Sequence, residues 1–215
     1  AMRFAKTGAN KFAGIPWHEG LEGVPLLEGC VAYMECRVDA RYPGGDHEII
    51  LALNGLFPDS IEPIRAAFDG LLPQENIRVW HAPGPVQEEY PSNDQRREVA
   101  ELIREAFLAS LQPDVIHISS LFEGYGDDAV ISIGRFDHAT PVSVSLYDLI
   151  PLLSREHYFK SNPQYAKHYL HKVEQLKKAA VFLAISAFTR QEGLAHLETT
   201  DSSVVNVSAA IDPNF

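Results

Sequence analysis

Short apolar runs alternate with amphipathic stretches from about residue 49 to the end of the chain. Apolar residues between the runs recur at helical spacing, for example Val99, Leu102 and Ile103, and residues 127–135 are predicted to form a further helix. Strands that alternate with helices predict βαβ units and a parallel sheet. The fold class predicted for residues 49–215 is therefore α/β, a Rossmann-like, doubly wound and mostly parallel sheet. The predicted strands are residues 49–53, 77–80, 115–118, 142–146, 181–185 and 204–207.

The pattern differs in residues 1–48, which contain seven of the chain's 14 glycines. Residues 31–42 alternate between apolar and polar and are predicted to form a strand. A turn signal at residues 43–46 separates them from the strand at 49–53. Because so short a gap cannot hold a parallel crossover, we expect an N-terminal antiparallel β-hairpin segment.

The formal net charge of −11 disfavours nucleic acid as a partner, because an acidic chain repels phosphate backbones. Cys30 and Cys36 do not follow a metal-binding spacing, and we expect no metal site. No run of about 18 apolar residues is present, and the first residues lack the apolar stretch of a signal peptide. We therefore expect a cytoplasmic protein, with peripheral membrane association left open.

Candidate functional residues follow the ends of three predicted strands. Ligands of open α/β sheets bind beyond the carboxyl ends of the strands, so these residues should line one cleft. They are Glu123, Gly124 and Tyr125 after the third strand, Tyr147 and Asp148 after the fourth, and Ser186 and Arg190 after the fifth.

Each candidate also has a purely structural interpretation. Ser186 can be only the N-cap of a helix, and Asp148 can brace its own loop. Glu123 can be a surface charge, although the glycines beside it permit close approach of the backbone to a ligand. His117 lies inside a strand, where a histidine is most often buried and hydrogen-bonded.

Three spaced segments resemble the group-1 (family 4) glycosyltransferases of bacterial polysaccharide assembly. Residues 205–213 also fit the end of the N-terminal domain of that family. The three segments are Asp114-Val-Ile-His-Ile-Ser-Ser-Leu-Phe-Glu-Gly-Tyr125, Ser145-Leu-Tyr-Asp-Leu-Ile-Pro-Leu-Leu153 and Leu183-Ala-Ile-Ser-Ala-Phe-Thr-Arg190.

The resemblance implies a retaining enzyme with the two-domain GT-B architecture. A nucleotide-sugar donor binds mainly to the C-terminal domain of such enzymes, a glycan or lipid-linked acceptor binds to the N-terminal domain, and no metal is obligatory. Tyr147 and Asp148 match the catalytic position, where many relatives carry His-Asp. Tyrosine keeps a hydrogen-bonding group there but supplies no base at neutral pH. The implied substrate-binding residues are Glu123, Gly124, Tyr125, Ser186 and Arg190.

Two departures from that family bear on activity. The Glu-x7-Glu motif of the donor domain is absent, and the chain ends near the expected domain junction. Residues 1–48 also do not resemble the strand, glycine-rich loop and helix with which the family opens. We expect the chain to lack its C-terminal donor domain and to be inactive alone, and whether it is an enzyme stays open. The missing first unit should leave an exposed sheet edge, which could support a homodimer.

Residues 1–48 instead resemble the later half of the flavin reductases with an FMN-binding split barrel. The matching segments include Lys11-Phe-Ala-Gly-Ile-Pro-Trp17 and Gly45-Asp-His47. His47 is the cofactor-binding candidate that this resemblance implies, and FMN is the alternative ligand, although we expect no tightly bound cofactor. The chain therefore divides into a reductase-like fragment, residues 1–48, and a glycosyltransferase-like domain, residues 49–215. A flavin-binding module and a non-catalytic chimera or fragment are the alternative functions.

Overall fold

A computed structural model describes residues 14, 16–20, 25–28 and 47–207. The chain divides into two compact units, Ala1–Gly45 with Ala209–Phe215, and Asp46–Ser208. In the first unit, β1 (Trp17–Glu19) pairs antiparallel with β2 (Pro25–Leu27). The strand predicted at residues 31–42, and with it the predicted hairpin to residues 49–53, lies outside the described residues.

The second unit contains parallel strands in two sheets. β3 (Leu51–Asn54) pairs with β4 (Ile77–Trp80). The other sheet has the order β5 (Ile116–Ile118), β6 (Val142–Leu146), β7 (Val181–Ala184) and β8 (Val204–Asn206), and each neighbouring pair is parallel. The predicted α/β class with parallel, Rossmann-like strands is confirmed. Among the described strands of this unit, β3 pairs with β4, and β5 to β8 form the other sheet.

Helices connect these strands in the βαβ manner. α1 (Pro58–Ala67) follows β3, and α2 (Asp94–Ser110) joins β4 to β5. After β6 come the short helices α3 (Ile150–Leu153) and α4 (Arg155–Phe159), and then α5 (Pro163–Leu176). α6 (Ala187–His196) joins β7 to β8. Both α1 and α5 begin with proline, whose fixed φ suits the first helical position.

The main core lies on one face of the β5–β8 sheet, between the sheet and α5. Alternate residues of each strand point to this face and are apolar. A second, smaller cluster surrounds Trp80 and Val86 beside α2. The core positions of the sheet are Ile118, Val144, Leu146, Phe182, Ala184 and Val204, and those of α5 are Tyr169, Val173 and Leu176.

The opposite face of the same sheet carries polar side chains on β5 and β6. His117 is exposed there, so the expectation of a buried histidine was wrong. Its Nδ1 lies 3.0 Å from Ser143 Oγ, and its Nε2 lies 3.3 Å from Ser145 Oγ. The three side chains share one face because Cβ positions alternate along each strand and His117 is in register with Ser143.

The helix predicted at residues 127–135 is absent, and that segment is irregular. Its backbone groups bond to side chains instead of to one another. Arg104 Nη1 donates to Ser132 O at 3.2 Å, and Lys172 donates to Ile131 O. Arg135 N donates to the buried carboxylate of Glu105 at 2.7 Å. A helix would need these backbone groups for its own ladder, so the long-range bonds outweigh the local apolar spacing.

In the part of the chain that the structure describes, no helix combines the length and the apolar character needed to cross a bilayer.

Candidate functional site

The loop after β5 holds Gly124 in a conformation that only glycine adopts easily. Its φ is +93°, and a Cβ built there would lie 2.2 Å from Ala129 O. Its carbonyl accepts a hydrogen bond from Glu88 N at 3.0 Å and another from the Arg97 guanidinium. The backbone of the predicted binding loop is therefore fixed from two sides, and glycine is required at its turn.

Tyr125, next in this loop, contacts the start of α5. Its hydroxyl donates to Asn162 Oδ1 at 3.0 Å, and its ring meets the Tyr165 ring edge-on, with centroids 5.3 Å apart. Asn162 Oδ1 also accepts from Tyr165 N and so caps α5. The sequence analysis missed Asn162 and Tyr165, although asparagine before a proline at a helix start is a recognisable capping signal.

Glu123 is exposed at the edge of the same loop. Its Oε1 accepts a hydrogen bond of 2.8 Å from Ser120 Oγ. The second carboxylate oxygen keeps lone pairs that can accept hydrogen bonds from a ligand's hydroxyl groups.

Tyr147 and Asp148 follow β6, as predicted. The Tyr147 side chain is 52% exposed, and its backbone carbonyl accepts a hydrogen bond of 2.9 Å from Thr189 Oγ1. Asp148 Oδ1 accepts from Ile150 N at 3.0 Å, so this carboxylate does brace its loop. Burial raises the pKa of Tyr169 on α5, and the charge of Asp148 raises it further.

Ser186 is the N-cap of α6. Its Oγ accepts a hydrogen bond from Thr189 N at 3.0 Å, as the structural interpretation of this serine predicted. Arg190, one turn further along α6, donates from Nε to Val204 O at 2.9 Å. Its Nη2 lies 2.6 Å from Asp201 Oδ1. The guanidinium of Arg190 therefore holds α6 to the first residue of β8 and to Asp201, which precedes that strand.

The loop after β5 contacts the start of α5, and the loop after β6 contacts the start of α6. Tyr125 touches Tyr165, and the charge of Asp148 contributes to the raised pKa of Tyr165, after the larger effect of burial. The backbone carbonyl of Tyr147 accepts a hydrogen bond from Thr189 Oγ1, and Ser186 Oγ accepts one from Thr189 N. No hydrogen bond described for Arg190 joins it to the other candidates. The predicted roles of all these residues in substrate binding or catalysis stay predictions.

A buried ionic cluster lies beneath the β5 loop. Glu88 Oε2 is 2.7 Å from His168 Nδ1 and 3.7 Å from Arg97 Nη1. His168 Nε2 lies 3.1 Å from Phe122 O, so the histidine links α5 to the loop. Burial alone would raise the pKa of Glu88, but the hydrogen bond from His168 and the positive charges of His168, Arg97 and Lys172 lower it to about 2.

Lys172 on α5 belongs to the same buried region and is fully enclosed. Burial lowers its pKa to about 8, although Glu101 and Glu88 act in the opposite direction. Burial also raises the pKa of Glu101. Within residues 14, 16–20, 25–28 and 47–207, no group of three or more histidine, cysteine, aspartate or glutamate side chains could hold a metal ion.

His47, the flavin candidate, is exposed. It lines a groove beside β3 together with Glu48 and Ile49. His47 therefore offers one potential hydrogen-bonding group to a ligand in that groove.

Most of the chain is similar to a class of sugar-transferring enzymes. Over 172 residues it is 28% identical to the serotype-specific mannosyltransferase WbdA of Escherichia coli, and a second E. coli protein of that name matches equally. The alignment covers 80% of this chain and 21% of the first relative, so the chain spans about a fifth of its length. No solved structure matches the chain.

The beginning of the chain is similar to a different class. Residues 1–53 match the family described as flavin reductase like domain. The actinorhodin polyketide dimerase of Streptomyces coelicolor is 51% identical over 51 residues, which are 24% of this chain and 29% of that protein. The HsaB reductase subunit of a flavin-dependent monooxygenase from Mycobacterium tuberculosis is 42% identical over 50 residues, 23% of this chain and 27% of that subunit. Both predicted resemblances are thus confirmed.

Proposed function

We propose that the larger unit is the acceptor-side domain of a retaining glycosyltransferase of the GT-B type. The full enzyme would transfer a sugar from a nucleotide-sugar to a glycan or lipid-linked acceptor during polysaccharide assembly. The reaction would take place on the cytoplasmic side of the membrane. The similarity to mannosyltransferases across 80% of the chain is the observation that carries this proposal. It favours mannose as the sugar class.

In this proposal the acceptor lies over the loops after β5, β6 and β7. Tyr147 is exposed and offers both a ring face and a hydroxyl, which suits a sugar ring. Asp148 and Glu123 offer carboxylate oxygens for sugar hydroxyls. Gly124 and Tyr125 shape the loop. Ser186 lies at the N-terminus of α6 and Arg190 one turn further, where Arg190 also secures the helix to β8.

The proposal includes a limit on activity. Sugar transfer in a two-domain enzyme requires both domains to enclose the donor and exclude water. The chain alone should therefore bind acceptor without turning over a nucleotide-sugar. In this proposal the partner of the larger unit is a donor domain.

Acceptor binding can be tested by NMR titration of the isotope-labelled chain with mannotriose. The expected result is saturable shift changes at Tyr125, Tyr147 and Asp148, with weaker binding by Asp148→Asn. Asp69→Asn makes the same chemical change at an exposed carboxylate after α1, so it is the matched control and should bind normally. An absence of saturable binding, or equal binding by both variants, would refute the proposed site.

A flavin-binding module is the second candidate, because the family match over residues 1–53 favours it. In that case FMN would bind the chain, and His47→Ala would weaken the binding. Titration of FMN against the chain, followed by flavin fluorescence, decides the question. A fluorescence that does not change with added protein removes this candidate and leaves the acceptor-side domain or a chimera without activity.

A further inference from the structure

His168 lies on α5 where this helix meets the loop after β5, and 0% of its surface is exposed. Its ring contacts two residues of that loop. Nε2 lies 3.1 Å from Phe122 O, and the ring centroid lies 5.5 Å from the Tyr125 centroid. The ring of Tyr165, one turn earlier on α5, lies 6.2 Å away. Because His168 is enclosed, it cannot touch a ligand, and any effect on the candidate site acts through this loop.

The loop is anchored through its carbonyl groups. Phe122 O faces His168 Nε2, and Gly124 O accepts a hydrogen bond of 3.0 Å from Glu88 N. Glu88 takes part in both anchors, because its carboxylate lies 2.7 Å from His168 Nδ1. Glu123, the exposed carboxylate of the candidate site, lies between the two anchored residues. Its position therefore depends on the pair formed by His168 and Glu88.

Both ring nitrogens of His168 face atoms that accept hydrogen bonds. The backbone carbonyl of Phe122 has no hydrogen to donate. Glu88 has none either when it is ionised, and its pKa of about 2 keeps it ionised at neutral pH. A neutral imidazole has one N–H and can donate to one of these acceptors, whereas an imidazolium has two and donates to both. The hydrogen bonds on both sides of the ring therefore require the doubly protonated form.

The charged groups that surround His168 come from three parts of the chain. Glu88, between β4 and α2, is in direct contact with the ring and favours the imidazolium. Arg97 on α2 lies 3.7 Å from the same carboxylate, and Lys172 follows one turn further along α5. Both cations oppose a further positive charge, and His171 is a titratable neighbour on α5. The second proton of His168 therefore depends on the ionised Glu88.

We propose that His168, as an imidazolium, is a positioning residue for the candidate acceptor site. Its Nδ1–H donates to Glu88, and its Nε2–H holds Phe122 O and thereby the loop that carries Glu123 and Tyr125. A neutral ring would keep its hydrogen on Nδ1, beside the charged carboxylate, and would turn a lone pair towards Phe122 O. Loss of one proton therefore releases this anchor of the loop. The effect on acceptor binding rests on the proposed function, whereas the movement of the loop does not.

NMR of the full chain labelled with ¹⁵N reads the ring directly, and the variant His168→Gln assigns the His168 signals. As pH rises from about 5 to about 9, which spans ordinary histidine titration, the ring should change from two N–H groups to one. The backbone amide signals of Gly124 and Tyr125 should shift in the same step. A ring that carries one N–H throughout, or loop signals that do not follow its titration, would overturn the inference.

Two variants separate the hydrogen bond from the volume of the side chain. His168→Phe removes both N–H groups, so the loop amides should shift and mannotriose binding should weaken about tenfold. His168→Gln keeps an N–H donor and should recover part of this loss. Wild-type binding should weaken in the step in which the ring loses its proton, and His168→Gln should lack that step. His196→Phe makes the same change at an exposed histidine at the end of α6 and should bind normally.

The loop signals distinguish failure of this inference from failure of the proposed function. If the loop follows the His168 proton but the wild-type chain binds no mannotriose, the proposed function fails and the positioning of the loop stands. Equal mannotriose binding by His168→Phe and the wild type, with unchanged loop signals, would overturn the inference. Circular dichroism checks folding, and the pH titration of the wild-type chain decides the matter if His168→Phe unfolds.

Discussion

The hydroxyl of Tyr125 donates a hydrogen bond of 3.0 Å to Asn162 Oδ1, and this bond joins the loop after β5 to the start of α5. The same oxygen caps α5 by accepting from Tyr165 N. One side-chain oxygen thus fixes both the helix start and the loop, so the shape of the candidate site depends on it.

The Tyr125→Phe change removes this bond and leaves the ring contact with Tyr165. We expect the free energy of unfolding to fall by about 1 kcal/mol, the usual net value of one such hydrogen bond. Urea denaturation measures it. Tyr90→Phe makes the same chemical change at an exposed tyrosine before α2 and should have an effect near zero. Equal losses in the two variants would contradict the role of Asn162.

Gly124→Ala should be strongly destabilising. Its φ of +93° disfavours any Cβ, and the new methyl group would meet Ala129 O at 2.2 Å, a backbone atom that cannot move aside easily. Strain and overlap together should cost about 3 kcal/mol. Thermal unfolding is the measurement. Gly126→Ala, two residues on, places its Cβ in open space and should change the melting temperature little. Similar melting temperatures for the two variants would refute the account of this turn.

The carboxylate of Glu88 predicts a loss of stability in acid. Its pKa falls from 4.5 to about 2 on folding, so the unfolded state binds the proton first as pH decreases. The contribution of Glu88 is therefore complete above about pH 4.5 and is lost as pH falls towards 2. Glu88→Gln should lower stability by about 2 kcal/mol at pH 7 and flatten this part of the pH profile. Urea titrations between pH 2 and 7 measure both effects, and an unchanged acid profile in this variant would contradict them.

Lys172 predicts a second rise of stability with pH, in base. Its pKa falls from 10.5 to about 8 on folding, so above pH 8 the unfolded state holds a proton that the folded state has lost. Stability should rise with pH between about 8 and 10, by up to about 1.4 kcal/mol per pH unit from this group. Lys172→Met should remove the rise. A wild-type profile that is flat, or a variant that keeps the rise, would contradict a buried Lys172.

The strands after residue 110 could be predicted because each is a short apolar run with a clear boundary, as at Val142–Leu146. The segment at residues 127–135 could not, because its conformation depends on Glu105, Arg104 and Lys172, which are distant in sequence. Periodicity reports only local preference, and these long-range bonds to the backbone overrule it.

The candidate site could be predicted in part. The rule that ligands bind at strand ends selected Tyr125, Tyr147 and Asp148, and these residues do follow β5 and β6, while their roles stay predictions. The pair formed by Glu88 and His168 was missed, because residues 80 apart in the chain gave no sign that they meet. Asn162 was missed although its place before Pro163 is a local capping signal. The exposure of His117 was also unexpected. A strand residue is buried only where another element covers its face of the sheet, and the sequence did not reveal which face is covered.

The most direct test of the account is calorimetric titration of the full chain with mannotriose and, separately, with a nucleoside diphosphate mannose. An acceptor-side domain should bind the oligosaccharide saturably, more weakly after Asp148→Asn, and should neither bind the nucleotide-sugar tightly nor consume it. The account would be contradicted if the chain alone bound the nucleotide-sugar tightly or consumed it, and did not bind the oligosaccharide.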